Sequence, residues 1–323
     1  MFRVFVISVL AMTALIPPVR AQDRKQNWKH CRDANPDIQI AGCTAVIQSG
    51  NDKPRNLAGA YFNRGIAYTA KAEYDPAIAD YNQALLLVPA FSTDLIFLIR
   101  RGIAYEFKGD YAKAINDYSL AIVLQPLSAD AFNDRGIAYD DKGEYDRGIQ
   151  DLNEAIRLRP DFAYAFTNRG VAYIKKGDYP RGLQDYDWSI RLMPNYYPSF
   201  ECRCFARALI GQFDQALTDC NRALSLKPNY TDAIGTRGFA YLRMGKYDLA
   251  IADYDVALGT DVNNKSPSWH KRFATWMYER GLAKEKKGDA AGAVSDIAAA
   301  KGLDADVADE NAKWDGPAAT AGK

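Results

Sequence analysis

The chain has 323 residues with 41 Lys and Arg against 40 Asp and Glu, a net charge of +1, and its clearest basic cluster is short, at residues 24–32. Nucleic acid is therefore a poor fit, because phosphate binding demands a basic surplus along one face. Past residue 21 no long apolar run occurs, so no membrane insertion is expected of the remainder.

The N-terminus opens on Met1, Phe2 and Arg3, stays apolar over residues 4–19 except at Ser8 and Thr13, and reaches Val19-Arg20-Ala21 before turning polar at Gln22. A basic start, an apolar middle and small residues at the end form the pattern of a secretory signal, with cleavage expected after Ala21. Pro17-Pro18 interrupts the run short of the roughly 20 apolar residues that a spanning helix needs. Residues 1–21 are thus read as a signal peptide that sends the chain across the inner membrane, to the periplasm or beyond. Its loss removes Arg3 and Arg20 and no acid, turning an excess of one base into an excess of one acid.

Further on, one phrase returns: Asn63-Arg64-Gly65-Ile66-Ala67-Tyr68, Asp134-Arg135-Gly136-Ile137-Ala138-Tyr139, Asn168-Arg169-Gly170-Val171-Ala172-Tyr173. From Gly102 to Gly238 its spacing is 34 residues at every step, with Cys204 standing for one glycine. Seven residues after each such glycine comes a turn glycine, from Gly109 to Gly288, with Ala72 the exception. A helix ends there in a left-handed residue. Twelve after it comes a small residue such as Ala77 or Gly182, which lets two helices approach, and twenty-four after it a proline such as Pro89 or Pro160 stops the second helix. Units are expected at about 58–91, 92–128, 129–162, 163–196, 197–230, 231–262 and 266–304. Residues 22–57 read as a degenerate first unit and 305–323 as a disordered tail.

A helix-turn-helix unit with period 34 resembles the tetratricopeptide-repeat family. The likeness runs from about residue 28 to 303, and the arginine before the glycine is similar to bacterial secreted or periplasmic members. It implies an all-α, right-handed solenoid of antiparallel helix pairs, a concave groove lined by the first helix of each pair, a protein or peptide partner, and no cofactor.

Each repeat arginine is followed sixteen residues later by an aspartate: Arg64-Asp80, Arg101-Asp117, Arg135-Asp151, Arg169-Asp185, Arg203-Asp219, Arg237-Asp253 and Arg280-Asp296. In an antiparallel hairpin both members lie at a similar height, so they are expected to pair and to fix helix register. Two insertions break the period, one of three residues near Ser92-Thr93-Asp94, which predicts a capped extra turn. The other, of nine residues over 259–270, has Ser266-Pro267 as a new helix start.

The cysteines fall in repeat slots. Cys31 and Cys43 occupy the glycine and small-residue slots of the degenerate unit, and Cys204 and Cys220 replace the glycine and the tyrosine after the aspartate in another. Disulfides Cys31–Cys43 and Cys204–Cys220 are expected, with Cys202 left over as a quiet, reactive or intermolecular thiol. A zinc site from Cys202, Cys204 and Cys220 is the weaker alternative.

The only histidines, His30 and His270, stand in no motif, and no nucleophile elbow, phosphate loop or zinc-protease signature occurs. Catalysis is not expected, and neither is a resident metal. Groove positions should fall three and two before each glycine and one, four and five after it. They give Lys29 and Arg32, then Asn63 and Arg100, then Asp134, Asp140 and Asp141, and finally the apolar Phe205, Leu209, Phe239 and Leu242. Lys29, Asn63 and Arg100 share one slot in successive units, so with Arg32 they could hold a peptide carboxylate. Chaperone-binding members of the family use such a clamp, which is matched here only at Asn63 and Arg100. The sequence thus favours a non-catalytic envelope scaffold over an accessory protein or enzyme for cell-wall or polysaccharide substrates.

Overall fold

In a computed structural model, which describes residues 21–260 and 267–314, the chain is all helix, with no strand among those residues. The segment read as a signal peptide lies outside them except for Ala21. The first pair is α1 (Ala21–His30) and α2 (Pro36–Ser49), followed by α3 (Pro54–Ala70) with α4 (Tyr74–Leu87). Then come α5 (Leu95–Lys108) with α6 (Tyr111–Leu124), α7 (Ala129–Asp141) with α8 (Tyr145–Leu158), and α9 (Ala163–Lys175) with α10 (Tyr179–Leu192). The series continues through α11 (Tyr197–Leu209) and α12 (Phe213–Leu226), α13 (Thr231–Arg243) and α14 (Tyr247–Thr260), and α15 (Pro267–Lys287) and α16 (Ala290–Leu303). A short α17 (Val307–Ala312) ends it. Each helix packs on its pair mate and then on the next pair, the pattern of a solenoid.

The repeated residues produce this because each fills a fixed geometric need. The glycine of the first helix lies under the side chain sixteen residues on, and a Cβ at Gly170 would stand 2.6 Å from Cε1 of the buried Tyr186. Turn glycines adopt φ between 73° and 88°, and Ala72 adopts the same left-handed region at 59°. The first insertion forms a 3-10 turn over Pro89–Thr93, after which Asp94 caps α5 by accepting from the Phe97 amide at 2.9 Å. The second makes α15 21 residues long against 13 for α13. Pro267 opens α15, and the helix reaches back across the solenoid to touch α5.

All seven arginine–aspartate pairs form, each a two-pronged fork. Arg169 donates from Nε and Nη2 to the two carboxylate oxygens of Asp185 at 2.8 and 2.6 Å. Arg64, Arg101, Arg135, Arg203, Arg237 and Arg280 do the same to their partners. The remaining prong, Nη1, crosses to the preceding pair: Arg64 to Thr44, Arg101 to Asn82, Arg135 to Ser119, Arg169 to Asn153, Arg203 to Asp187, Arg237 to Asn221 and Arg280 to Asp255. One guanidinium therefore fixes register within its own pair and stacking on the pair before. Aromatic faces such as Phe166 and Tyr173 flank it, with Arg169 5.4 and 6.0 Å from their centroids.

Cys31–Cys43 and Cys204–Cys220 are disulfides, with Cα atoms 4.4 and 5.4 Å apart. The second occupies the place where other units press glycine against tyrosine. With Cys204 and Cys220 bonded to each other, only Cys202 of the zinc alternative remains.

Residues 305–314 depart from the expected disordered tail. They contain α17 (Val307–Ala312) and reach Trp314, because Val307, 1 % exposed, is covered by Ala274 and Ala300, and Trp314 meets the apolar wall of α11. The rest of the expected tail, 315–323, lies outside the described residues.

Candidate peptide-binding groove

Successive first helices touch along the inner side of the solenoid, α7 with α9, α9 with α11 and α11 with α13. Side chains two before and five after each repeat glycine therefore form rows along one wall, and three regions follow.

At the N-terminal end Lys29 and Arg32 share a shallow cleft with Lys25, Gln26 and Trp28, and the Arg32 guanidinium lies 5.3 Å from the Trp28 ring centroid. Asn63 and Arg100 are not among the residues lining that cleft. Of the four groups expected to converge on a carboxylate, that cleft therefore holds only Lys29, in the exposed last turn of α1, and Arg32.

The middle is acidic. Burial pushes the Glu106 carboxyl up to about 8, helped by Asp134 and Asp141, although the Tyr118 hydroxyl donates to it at 3.0 Å. Asp134 is raised to about 6, chiefly by burial, and accepts from Asn133 Nδ2 at 3.1 Å. Lys175 pairs with the buried Asp140 at 2.6 Å and more distantly with Asp141.

The C-terminal region is apolar and filled. Phe205 and Phe239 pack at 5.3 Å, and the Trp314 ring meets Phe205 edge-on at 5.4 Å. Arg243 donates from Nη1 to the Trp314 carbonyl at 2.9 Å. Leu209 is 2 % exposed and belongs to the cluster on which Trp314 packs. Leu242 is partly buried and packs against the neighbouring cluster that holds Ile234, Tyr254 and Trp276. Of the two leucines expected on the groove, Leu209 is buried and Leu242 is half-buried. Beside Phe205 and Phe239 a cleft of about 310 Å³ is walled by Glu201, Asp232, Thr236 and Arg272. There Thr236 donates to Glu201 at 2.6 Å, Arg272 pairs with Asp232, and burial together with Asp232 raises the Glu201 carboxyl to about 7. The half-buried Cys202 lies beside Glu201, and burial holds its thiol well above the usual range.

Sequence reasoning missed Trp314, Arg243, Glu106 and Glu201. A signal for the first existed: Val307, Asn311 and Trp314 stand at i, i+4 and i+7, one face of a helix.

Residues 138–177 match the profile described as TPR repeat, and residues 236–308, 58–91 and 97–126 match tetratricopeptide-repeat profiles, together more than half the chain. No curated protein matches it. Among solved structures, a tetratricopeptide repeat protein from Parabacteroides merdae is 17 % identical with a TM-score of 0.68, over 81 % of this chain and 97 % of that one. The Cut9–Hcn1 hetero-tetramer of the APC/C gives 13 % and 0.62 over 90 % and 60 %. A thermophilic repeat protein of Thermus thermophilus gives 21 % and 0.51 over 57 % and 98 %. Identities this low speak to the fold alone, but profiles and fold agree: the chain belongs to the tetratricopeptide-repeat family.

Proposed function

We propose that this chain is a non-catalytic scaffold that holds a protein or peptide segment in its concave groove, and that it works in the cell envelope. A protein-interaction role follows from the family. The groove assignment is carried by one observation: a peptide segment already sits there, with Trp314 on Phe205 and its carbonyl on Arg243. The envelope assignment is supported by the N-terminal apolar segment and by two disulfides, which persist in oxidising compartments. Phe205, a groove ring on which a sugar could stack, is packed by both Phe239 and Trp314, which disfavours the polysaccharide reading at that ring.

Photo-crosslinking tests the groove. A benzophenone side chain at Phe205 should capture a discrete partner in cells, and one at the outward-facing, exposed Val123 should not. Capture at Val123 alone would overturn the groove assignment. Osmotic-shock fractionation tests the compartment, and retention in the cytoplasm with reduced thiols would overturn it.

A further inference from the structure

The segment that fills the C-terminal end of the groove is held unequally along its length. At its root Val307 is 1 % exposed against Ala274 and Ala300. Toward the tip the buried Asn311 donates to Glu279 at 3.4 Å, Glu310 pairs with the exposed Lys271 at 2.8 Å, and Trp314 adds its half-buried ring and a carbonyl that accepts from Arg243. A six-residue helix has no stability of its own, so α17 exists because the wall holds it. The charges also match. Residues 307–314 carry Asp309 and Glu310 against Lys313, and Asp304 and Asp306 stand just before them. Lys271 pairs with Glu310, and Lys175, itself held by Asp140, lines the cleft that Glu310, Lys313 and Trp314 share.

We propose that the wall of α11 and α13 is a receptor for a short acidic helical segment bearing an aromatic residue, and that residues 307–314 are its tethered occupant, which a partner segment of the same chemistry must displace. This rests on the groove reading above. Phe205 and Phe239 supply the aromatic seat, Arg243 reads the backbone beyond it, and Lys271 meets the acidic turn before it. A tether keeps its ligand at an effective concentration of about millimolar, so a partner binds the intact chain more weakly than it binds the bare wall.

The test uses the full chain and a fluorescent peptide with the sequence of residues 306–316. Anisotropy titrations compare wild type with Trp314→Ala and with Val307→Asp/Trp314→Ala, which frees root and tip together. A melting curve for each variant confirms that the solenoid is folded. The peptide should bind the doubly substituted chain at least tenfold tighter than wild type. Adding Phe205→Ala should abolish that gain, and a peptide carrying Trp314→Ala should bind none of the proteins. Equal affinity for wild type and the released variants, no binding to any, or binding that survives Phe205→Ala would each overturn the proposal. Partner capture at Phe205 in cells would then leave the broader groove assignment standing, so the two fail separately.

Discussion

On each first helix, the side turned to its partner helix repeats and the side turned to the groove does not. The arginine slot holds arginine in all seven pairs from α3 to α15, each forked onto an aspartate and tied to the preceding pair. The slot one residue earlier holds Asn63, Arg100, Asp134, Asn168, Cys202 and Thr236 in turn, and the slot five after the glycine runs through Phe107, Asp141, Lys175, Leu209 and Arg243. Positions that meet the same neighbour in every unit are constrained by stacking, whereas positions that face the groove are free to differ and so to recognise something. Stability should therefore live on the first side and ligand binding on the second.

The largest expected effect breaks the ladder. Arg169→Ala leaves Asp185, its side chain 5 % exposed, without its counter-charge and cuts the tie to Asn153. It should cost about 3 kcal/mol or more. Arg157→Ala, which loses only an exposed pair with Glu154, should cost at most about 1 kcal/mol. A double-mutant cycle of Arg169 with Asp185 checks this, and zero coupling would reduce the ladder to decoration.

Next comes reduction of the disulfides. Cys204–Cys220 stands in for a glycine–tyrosine contact and Cys31–Cys43 clamps the terminal pair, so each should contribute about 3 kcal/mol in the chain-entropy model. Melting with and without reductant measures the loss, and non-reduced peptide mapping must find 31 with 43 and 204 with 220. A peptide joining Cys202 to Cys220 would contradict the pairing.

The repeating side was legible because its spacing is invariant: period 34 gave the helix pairs, and the sixteen-residue step gave the forks. The tie between pairs was not, since Thr44, Asn82, Ser119, Asn153 and Asp187 share only an oxygen that can accept. The content of the expected groove was harder to read. Phe205 and Phe239 were expected on it with Leu209 and Leu242, of which Leu209 is buried, and of the basic row at Lys29, Asn63 and Arg100 only Lys29 lines the N-terminal cleft. What occupies a wall depends on how the chain returns through space, and the spacing of Val307, Asn311 and Trp314 marks a helix face without saying where it docks.

On the groove side, a pH effect sharpens the comparison. The folded chain holds a proton on Glu106 that the unfolded chain releases between its ordinary value and about 8, so this group's contribution to stability falls as pH rises through that window. Glu106→Gln, which keeps an acceptor for the Tyr118 hydroxyl, should raise Tm by a few degrees at pH 8 and leave it unchanged at pH 4. The smallest effect tests the one turn slot without glycine. Ala72 sits at φ 59°, so Ala72→Gly should stabilise by about 1 kcal/mol in denaturant melts, whereas Gly177→Ala should destabilise by a similar amount.

Hydrogen exchange on the wild-type chain tests most directly whether the variable side binds peptide segments. If residues 307–314 are a bound segment, their amides are protected in wild type and exchange about tenfold faster in Phe205→Ala, while α3 to α8 are unchanged. Unprotected amides in wild type, or protection indifferent to Phe205, would contradict it.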